Sequence, residues 1–525
     1  MRTAFFLFCF IALGPRVAAA EPLDNLAFFA RCYAHLTGVA LPYDHALRPG
    51  LMSGSVNPHT ACKQLLDKAD LPSGTYSVTD PEGLLVLRNL YEMHRTWFPT
   101  QTIDQIQAFD PIYQYAAWDV LDGTEAALTM TFNALTGDRY ENVLRYNSGF
   151  IALRTENADV KARIWDRFAV SNSTIIRRTR GGPEWDKAYV SFTKGAYLFS
   201  NPDTSDIVDY PPIQVGDLTG IKPQNQSINV VNFVPGFTTT FQENARATPN
   251  VKVDYNFFES SGGGILGLQS YVLTNFGHER GLKMNGADKL PRRWIKSALE
   301  SFLCADLPIL RESDMLPDFL VTSTASNIPP FRNSNTCLQC HATMDQAATL
   351  GGNFFVAITD FNRPPGTLGR GGTVGVLSGY MLGKFTPTTS TAYSWSSTPV
   401  ANFHLRNPTG RLYFRSMTGQ LINQPVNSIA EMGTALSSTP DFYNCAAKRY
   451  LHYFTGLSVP LYDRGDPRRA AAMQAITPEE VQLRLLVEKL GAKLRDHQSL
   501  KSTLKEIIDL PIYRDRKFEI SGAGT

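Results

Sequence analysis

Apolar positions along the chain fall into helical spacing near both ends and lose that rhythm in the middle. From Leu23 to about Leu71 they predict two short helices, one holding Cys32 and the other Cys62. The first stops at Thr37-Gly38 with Pro42 just beyond, because glycine closes a helix and proline cannot continue it. Tyr113 to Leu135 is helix-like, and Leu290 to Leu303 predicts a helix with Pro291 in its first turn. Towards the C-terminus the pattern is helical throughout. Ser428 and Glu431 have capping-box spacing, Thr439-Pro440-Asp441 starts a second helix, and Thr477-Pro478-Glu479-Glu480 starts a third. Leu500, Leu504, Ile507 and Ile508 line one face and read as core.

Between these ends, Asn172 to Pro211 mixes short β-prone runs (AYVSF, AYLF) with turn residues, and Thr367 to Thr418 is rich in Gly, Ser, Thr and Pro. Both predict loops with short strands. The expected fold class is mainly α, with loop-rich segments and small β elements, in several domains. The expected divisions are a leader at 1–20, a small helical module at 21–75, a mixed helical and irregular domain at 76–235, a domain around the CxxCH motif at 236–420 and a helical domain at 421–525. Arg449 to Asp463 looks similar to Arg31 to Asp44, a match short enough to read as two helices ending by the same Gly-then-Pro device.

The first segment has the pattern of an export signal: Arg2, an apolar run from Ala4 to Leu13, then Ala18-Ala19-Ala20 before Glu21. A mature chain starting near Glu21, periplasmic or secreted, is the expectation, and no later stretch is apolar enough to form a transmembrane segment. Hydrophobic residues make up 43% and charged residues 19%, values that allow a sizeable core. The formal net charge of +2 argues against nucleic acid as a partner. The basic cluster Arg177-Arg178-Thr179-Arg180 reads as a solvated loop. Asp203, Asp206 and Asp209 lack EF-hand spacing, and the GRGG run at Gly369 to Gly372 lacks the spacing of a dinucleotide fingerprint.

Cys337-Leu338-Gln339-Cys340-His341 changes the picture. Cysteines three apart on a helical turn present both thiols to one edge of a porphyrin, where they become thioethers on the vinyl groups. The next histidine then offers an imidazole nitrogen to the iron. A zinc site would want a second ligand pair close by, and a thioredoxin-like pair would sit in a βαβ unit; neither pattern is present. The residues thus point to one covalent haem c, with His341 as the metal ligand. A single such motif excludes a dihaem peroxidase, and no HExxH, GxSxG or P-loop pattern occurs. Of the remaining cysteines, Cys32 and Cys62 share one small unit and are expected to pair, which leaves Cys304 for Cys445. His35 and His452 read as packing or surface residues, while His94, His278 and His404 have no assigned role.

Around this motif the sequence resembles the large secreted cytochrome-like proteins common in planctomycetes and other aquatic or predatory bacteria, built from successive domains of unknown function. SGGGILGLQSYVL (Ser261 to Leu273), LPRRWIKSALESFLC (Leu290 to Cys304) and TCLQCHATMD (Thr336 to Asp345), followed by Asn353-Phe354, carry the likeness. Phe442 to Gly456 and Leu500 to Tyr513 resemble the family's last domain, and Met130 to Thr155, more weakly, its preceding helical domain. Gln346 departs from the pattern, standing where the family has proline. The resemblance implies a mostly helical build with a c-type cytochrome-like haem domain, and it implies no reaction.

The expected function is that of an exported monohaem c-type cytochrome-like protein passing electrons to or from a redox partner protein. Its rivals are a haem oxidoreductase with an open iron position and a surface or assembly protein with a structural haem. The second axial ligand discriminates between electron transfer and open-site catalysis. Met381, Met417 and His404 are the candidates, beside a vacant position. Met344, one turn beyond His341, lies on the proximal side of the ring and reads as packing.

Overall fold

The computed structural model describes residues 23–71, 78–98, 125–146, 292–315, 335–351, 407–468 and 477–514, with shorter pieces between 150 and 385. The apolar run at 4–13, the basic and aspartate clusters between 177 and 209, His278, Gly369 to Gly372 and His404 lie outside the described residues. Helices dominate what is described: α1 (Asn25–Thr37), α2 (Arg48–Ser53), α3 (Pro58–Asp67), α4 (Pro81–Arg95), α5 (Glu125–Thr136), α6 (Arg292–Leu303), α7 (Asn335–Ala348), α8 (Ile429–Ser437), α9 (Pro440–Thr455), α10 (Pro478–His497), α11 (Leu500–Asp509) and α12 (Pro511–Arg514).

Their ends follow from local chemistry. The Asp24 carboxylate accepts the Ala27 N–H, Asp80 accepts those of Glu82 and Gly83, and Thr477 with Glu480 forms a complete capping box. At Ser428 the box is half as expected: Ser428 accepts the Glu431 N–H at 3.0 Å, but the Glu431 carboxylate reaches Asn427 instead. Three helices stop on the same pair of residues, Thr37-Gly38, Thr136-Gly137 and Thr455-Gly456. Each threonine hydroxyl donates to the carbonyl four residues back, at 2.7, 2.9 and 2.6 Å, and each glycine takes φ between 72° and 74°. A β-carbon would oppose that left-handed turn, so glycine fits it best. The Thr136-Gly137 case has no proline behind it. The likeness between Arg31–Asp44 and Arg449–Asp463 is therefore accounted for by a stop device that this chain also uses elsewhere.

The buried side chains of the first helices and the last belong to one core, running from Phe28 and Leu36 through Trp294 and Tyr450 to Ile507 and Tyr513. The first and last described segments are also hydrogen-bonded to each other: Leu23 N–H donates to the Arg514 carbonyl at 3.0 Å, and the Arg31 guanidinium to that of Tyr513 at 3.0 Å. Two disulfides tie this core. Cys32 and Cys62 join α1 to α3 with Cα atoms 6.1 Å apart, and Cys304 and Cys445 join the end of α6 to α9 at 5.2 Å. Cys304 takes φ 51° directly after α6, and the next N–H, from Ala305, returns to the Leu299 carbonyl at 3.2 Å. That is the turn by which a helix closes on a left-handed residue.

Strands are few and short. β1 (Val231–Asn232), β2 (Tyr255–Phe257), β3 (Phe354–Asp360) and β4 (Ser378–Phe385) form an antiparallel sheet in the order β1-β2-β4-β3, with Met381 opposite Ala357. β5 (Gly410–Arg415) and β6 (Leu421–Val426) make a hairpin in register Gly410 to Val426.

Candidate functional site

α7 carries the whole CLQCH motif and runs on to Ala348, through Gln346, where a proline would have interrupted it. At 100° per residue, Cys337, Cys340, His341, Met344 and Asp345 share one half of its circumference. Leu338, Gln339, Ala342 and Thr343 occupy the other half and are buried, whereas Cys337 is exposed and Cys340 and His341 are half-buried. The motif therefore lies on the open edge of a helix whose back is closed.

That back is held in two places. Leu310 and Tyr413 of β5 pack with Ala342 in a small separate apolar cluster. The Arg468 guanidinium donates to the Gln339 amide oxygen and to the Leu310 carbonyl, and it is itself held by Asp466 at 2.7 Å. Two further part-buried pairs fix the loops behind: Arg311 with Asp463 at 2.6 Å, and Arg415 Nε with Asp314 at 2.8 Å. Burial alone would raise the Asp314 carboxyl, but the Arg415 hydrogen bond overrides it and holds it below the usual carboxylate range.

On the open edge, His341 Nδ1 lies 3.3 Å from Asp345 Oδ1, one helical turn on. Asp345 receives both Nε and Nη2 of Arg292, the first residue of α6, the latter at 3.1 Å. Cys337 and Cys340 are not joined to each other or to any other cysteine, while Cys32, Cys62, Cys304 and Cys445 are all paired. Burial pushes the Cys340 thiol up from its ordinary value against the pull of the Arg468 charge, so it remains a thiol at neutral pH. Two unbonded thiols three residues apart, an imidazole next to the second, and a shared open edge are what a haem c needs from the chain. In this respect the residues fit the group. Among the described residues no three His, Cys, Asp or Glu side chains are grouped to hold a metal ion by themselves.

The other candidate residues fall elsewhere. Met344 lies on the same half of α7 as the thiols, yet it is half-buried and packs against the main core, the packing role expected of it. The Met417 sulfur accepts the Asn444 amide N–H at 3.3 Å, its own N–H donates to Asp441 at 2.9 Å and its carbonyl takes Arg484 at 2.7 Å. It lines a crevice with Leu303, Asp306, Arg415, Asp441 and Asp463. These hydrogen bonds tie Met417 to α9 and α10. Met381 has a place in β4 by its backbone.

His35 is half-buried between Tyr453, Phe454 and Tyr513, and His452 is exposed against the Leu457 carbonyl, both as packing or surface residues. His94 is wholly buried between the Thr131 hydroxyl at 2.7 Å and the Tyr450 hydroxyl at 2.8 Å. Burial, with Arg449 nearby, pushes its pKa down to about 3, so it is a neutral core histidine. Reading the sequence missed Asp345, Arg292 and Arg468. The four-residue step from His341 to Asp345 on a helix was the available signal for the first; Arg292 and Arg468 are brought in by the fold. Compared with protein-family models, curated proteins and solved structures, the chain matches none of them.

Proposed function

We propose that this chain is an exported monohaem c-type cytochrome-like protein, with thioethers at Cys337 and Cys340 and His341 as the proximal ligand. One observation carries the reading: the two unbonded cysteines and His341 share the open edge of a helix whose opposite side is buried. When bound, haem supplies one-electron chemistry between ferric and ferrous iron. The chain's own part is to hold the edge still. Leu310 and Tyr413 under Ala342, and Arg468 under Gln339, fix the rotation of α7 and hence the direction of both thiols. The resemblance of TCLQCHATMD to planctomycete-type cytochrome-like proteins supports the same assignment. The Ala4 to Leu13 run and the two disulfides suit a periplasmic or secreted location. A redox partner protein then exchanges the electron.

The second reading, substrate chemistry at an open iron position, is favoured by the placement of Met417, whose sulfur is engaged with Asn444. The test is expression alongside cytochrome maturation machinery. Under either reading the haem stays with the protein through acid-acetone extraction and adds one haem to the intact mass. Free thiols or bound zinc at that mass overturn the assignment. Spectra of the reduced protein with and without carbon monoxide then separate the two: resistance to carbon monoxide indicates a filled sixth position and electron transfer, and ready binding indicates open-site chemistry.

A further inference from the structure

We propose that Asp345, held in place by Arg292, is the positioning residue for the His341 imidazole and that the pair sets the redox equilibrium of the iron with opposing signs. This rests on the reading of α7 as the haem-attaching helix.

The geometry is specific. Asp345 presents Oδ1 to His341 Nδ1 at 3.3 Å, and Arg292 grips both carboxylate oxygens from the start of α6. A histidine that ligates a metal through one ring nitrogen commonly donates its other N–H to a carboxylate or carbonyl, which fixes tautomer and ring orientation. With Nδ1–H directed at Asp345, coordination falls to Nε2. An aspartate in this place also makes the imidazole more electron-rich than a neutral carbonyl would. Extra negative charge on the ligand stabilises ferric over ferrous iron, so the carboxylate lowers the potential. Arg292 works the other way. Its guanidinium draws on the same carboxylate, weakens its hold on the imidazole proton and tempers the effect. All three side chains are a quarter to a third exposed, so the charges are partly screened but not lost.

A purely structural role is the alternative. The Arg292–Asp345 pair also links α6 to α7, and losing a link of that kind would disturb both variants in the same direction. Opposing signs would not follow from it.

The experiment is spectroelectrochemical titration of the full chain carrying covalent haem, with Asp345→Asn and Arg292→Gln beside the unsubstituted protein. Asp345→Asn should shift the equilibrium towards ferrous at least tenfold, which is 59 mV for one electron, and should lower the iron–imidazole stretching frequency in the resonance Raman spectrum. Arg292→Gln should shift the equilibrium towards ferric and raise that frequency. Shifts of the same sign, or a change below threefold in both with an unaltered stretch, overturn the proposal. If Asp345→Asn does not mature, Arg292→Gln alone decides: a shift towards ferric supports the proposal, and no shift or the reverse overturns it. If the unsubstituted chain carries no covalent haem, the functional reading fails first and this inference falls with it.

Discussion

The helices α9 and α7 pack against the same neighbour, α6, and both carry cysteines, yet they leave those cysteines in opposite conditions. On α9, Phe442, Tyr443, Tyr450 and Phe454 fill the space on several sides, and Cys445 is 1% exposed and bonded to Cys304. On α7, Leu338, Gln339, Ala342 and Thr343 are buried along one side, and Ala347 and Ala348 enter the core at its C-terminal end. Over its first turns, however, one side stays open, and there Cys337 is exposed and Cys340 half-buried, both unbonded. What a cysteine can do here is set by how far its surroundings enclose it. Full enclosure on α9 commits the sulfur to structure, while the open side of α7 leaves its thiols available for chemistry.

The comparison breaks most visibly at Cys445. Its bond with Cys304 closes a loop of 141 residues, for which the chain-entropy relation gives about 5 kcal/mol, against about 3.6 for the 30-residue loop of Cys32 and Cys62. Replacing Cys304 and Cys445 together by serine should therefore lower the unfolding free energy in denaturant by more than replacing Cys32 and Cys62. An equal or smaller loss would show that α9 does not depend on the bond.

Acidification sharpens the contrast within the closed region itself. His94, pushed down to about 3, stays neutral in the folded chain while the unfolded chain takes up a proton near 6.5. Its contribution is intact above that value and is lost as pH falls towards 3, at about 1.4 kcal/mol per pH unit. Asp441 has the opposite sign. Burial pushes its carboxyl up to about 6, against the Met417 N–H and the Arg484 charge, and one of its oxygens has no hydrogen-bond partner. Between pH 6 and 4 the folded chain therefore takes a proton there that the unfolded chain does not, and stability rises by a similar amount. The two nearly cancel. His94→Gln should leave a chain that gains stability from pH 6 to 4, and Asp441→Asn one that loses it, their slopes differing by roughly 2.7 kcal/mol per unit. Parallel unfolding curves for the two variants across this range would refute both assignments.

The smallest effect belongs to the open region. Cys337 is exposed and unbonded, so Cys337→Ser in the haem-free chain should move the stability by no more than about 0.5 kcal/mol. A loss of several kcal/mol in thermal or denaturant unfolding would mean that α7 is not an open edge.

Much of this was legible in sequence because it is local. The Thr37-Gly38 stop, the Thr477 to Glu480 box and the Leu500 to Ile508 face each lie within a few residues, where spacing dictates backbone geometry. The CLQCH motif is legible for the same reason. The helix over Leu290 to Leu303 is described from Arg292 onward, and the one ending at Leu135 is described from Glu125 to Thr136. What the sequence did not disclose depends on chain segments meeting from far apart. Arg468 reaches Gln339 across 129 positions and Arg292 reaches Asp345 across 53, and no spacing rule connects such pairs. His94 looked uncommitted because its partners, Thr131 and Tyr450, come from two other helices. Met417 stood as a possible ligand because it follows the motif; its neighbours Asn444 and Asp441 come from α9.

The bond between Cys304 and Cys445 has a consequence in the order of synthesis. Between its two ends, in sequence, lie Cys337 and Cys340. A chain emerging from its N-terminus under oxidising conditions therefore offers Cys304 two other thiols before the native partner arrives. Thiol–disulfide exchange is indifferent to which of them is correct until the fold selects. Anything that occupies Cys337 and Cys340 early, thioether formation above all, removes both competitors and leaves Cys304 to wait for Cys445. Attachment at α7 would then serve as a protecting group for the crosslink that closes the core.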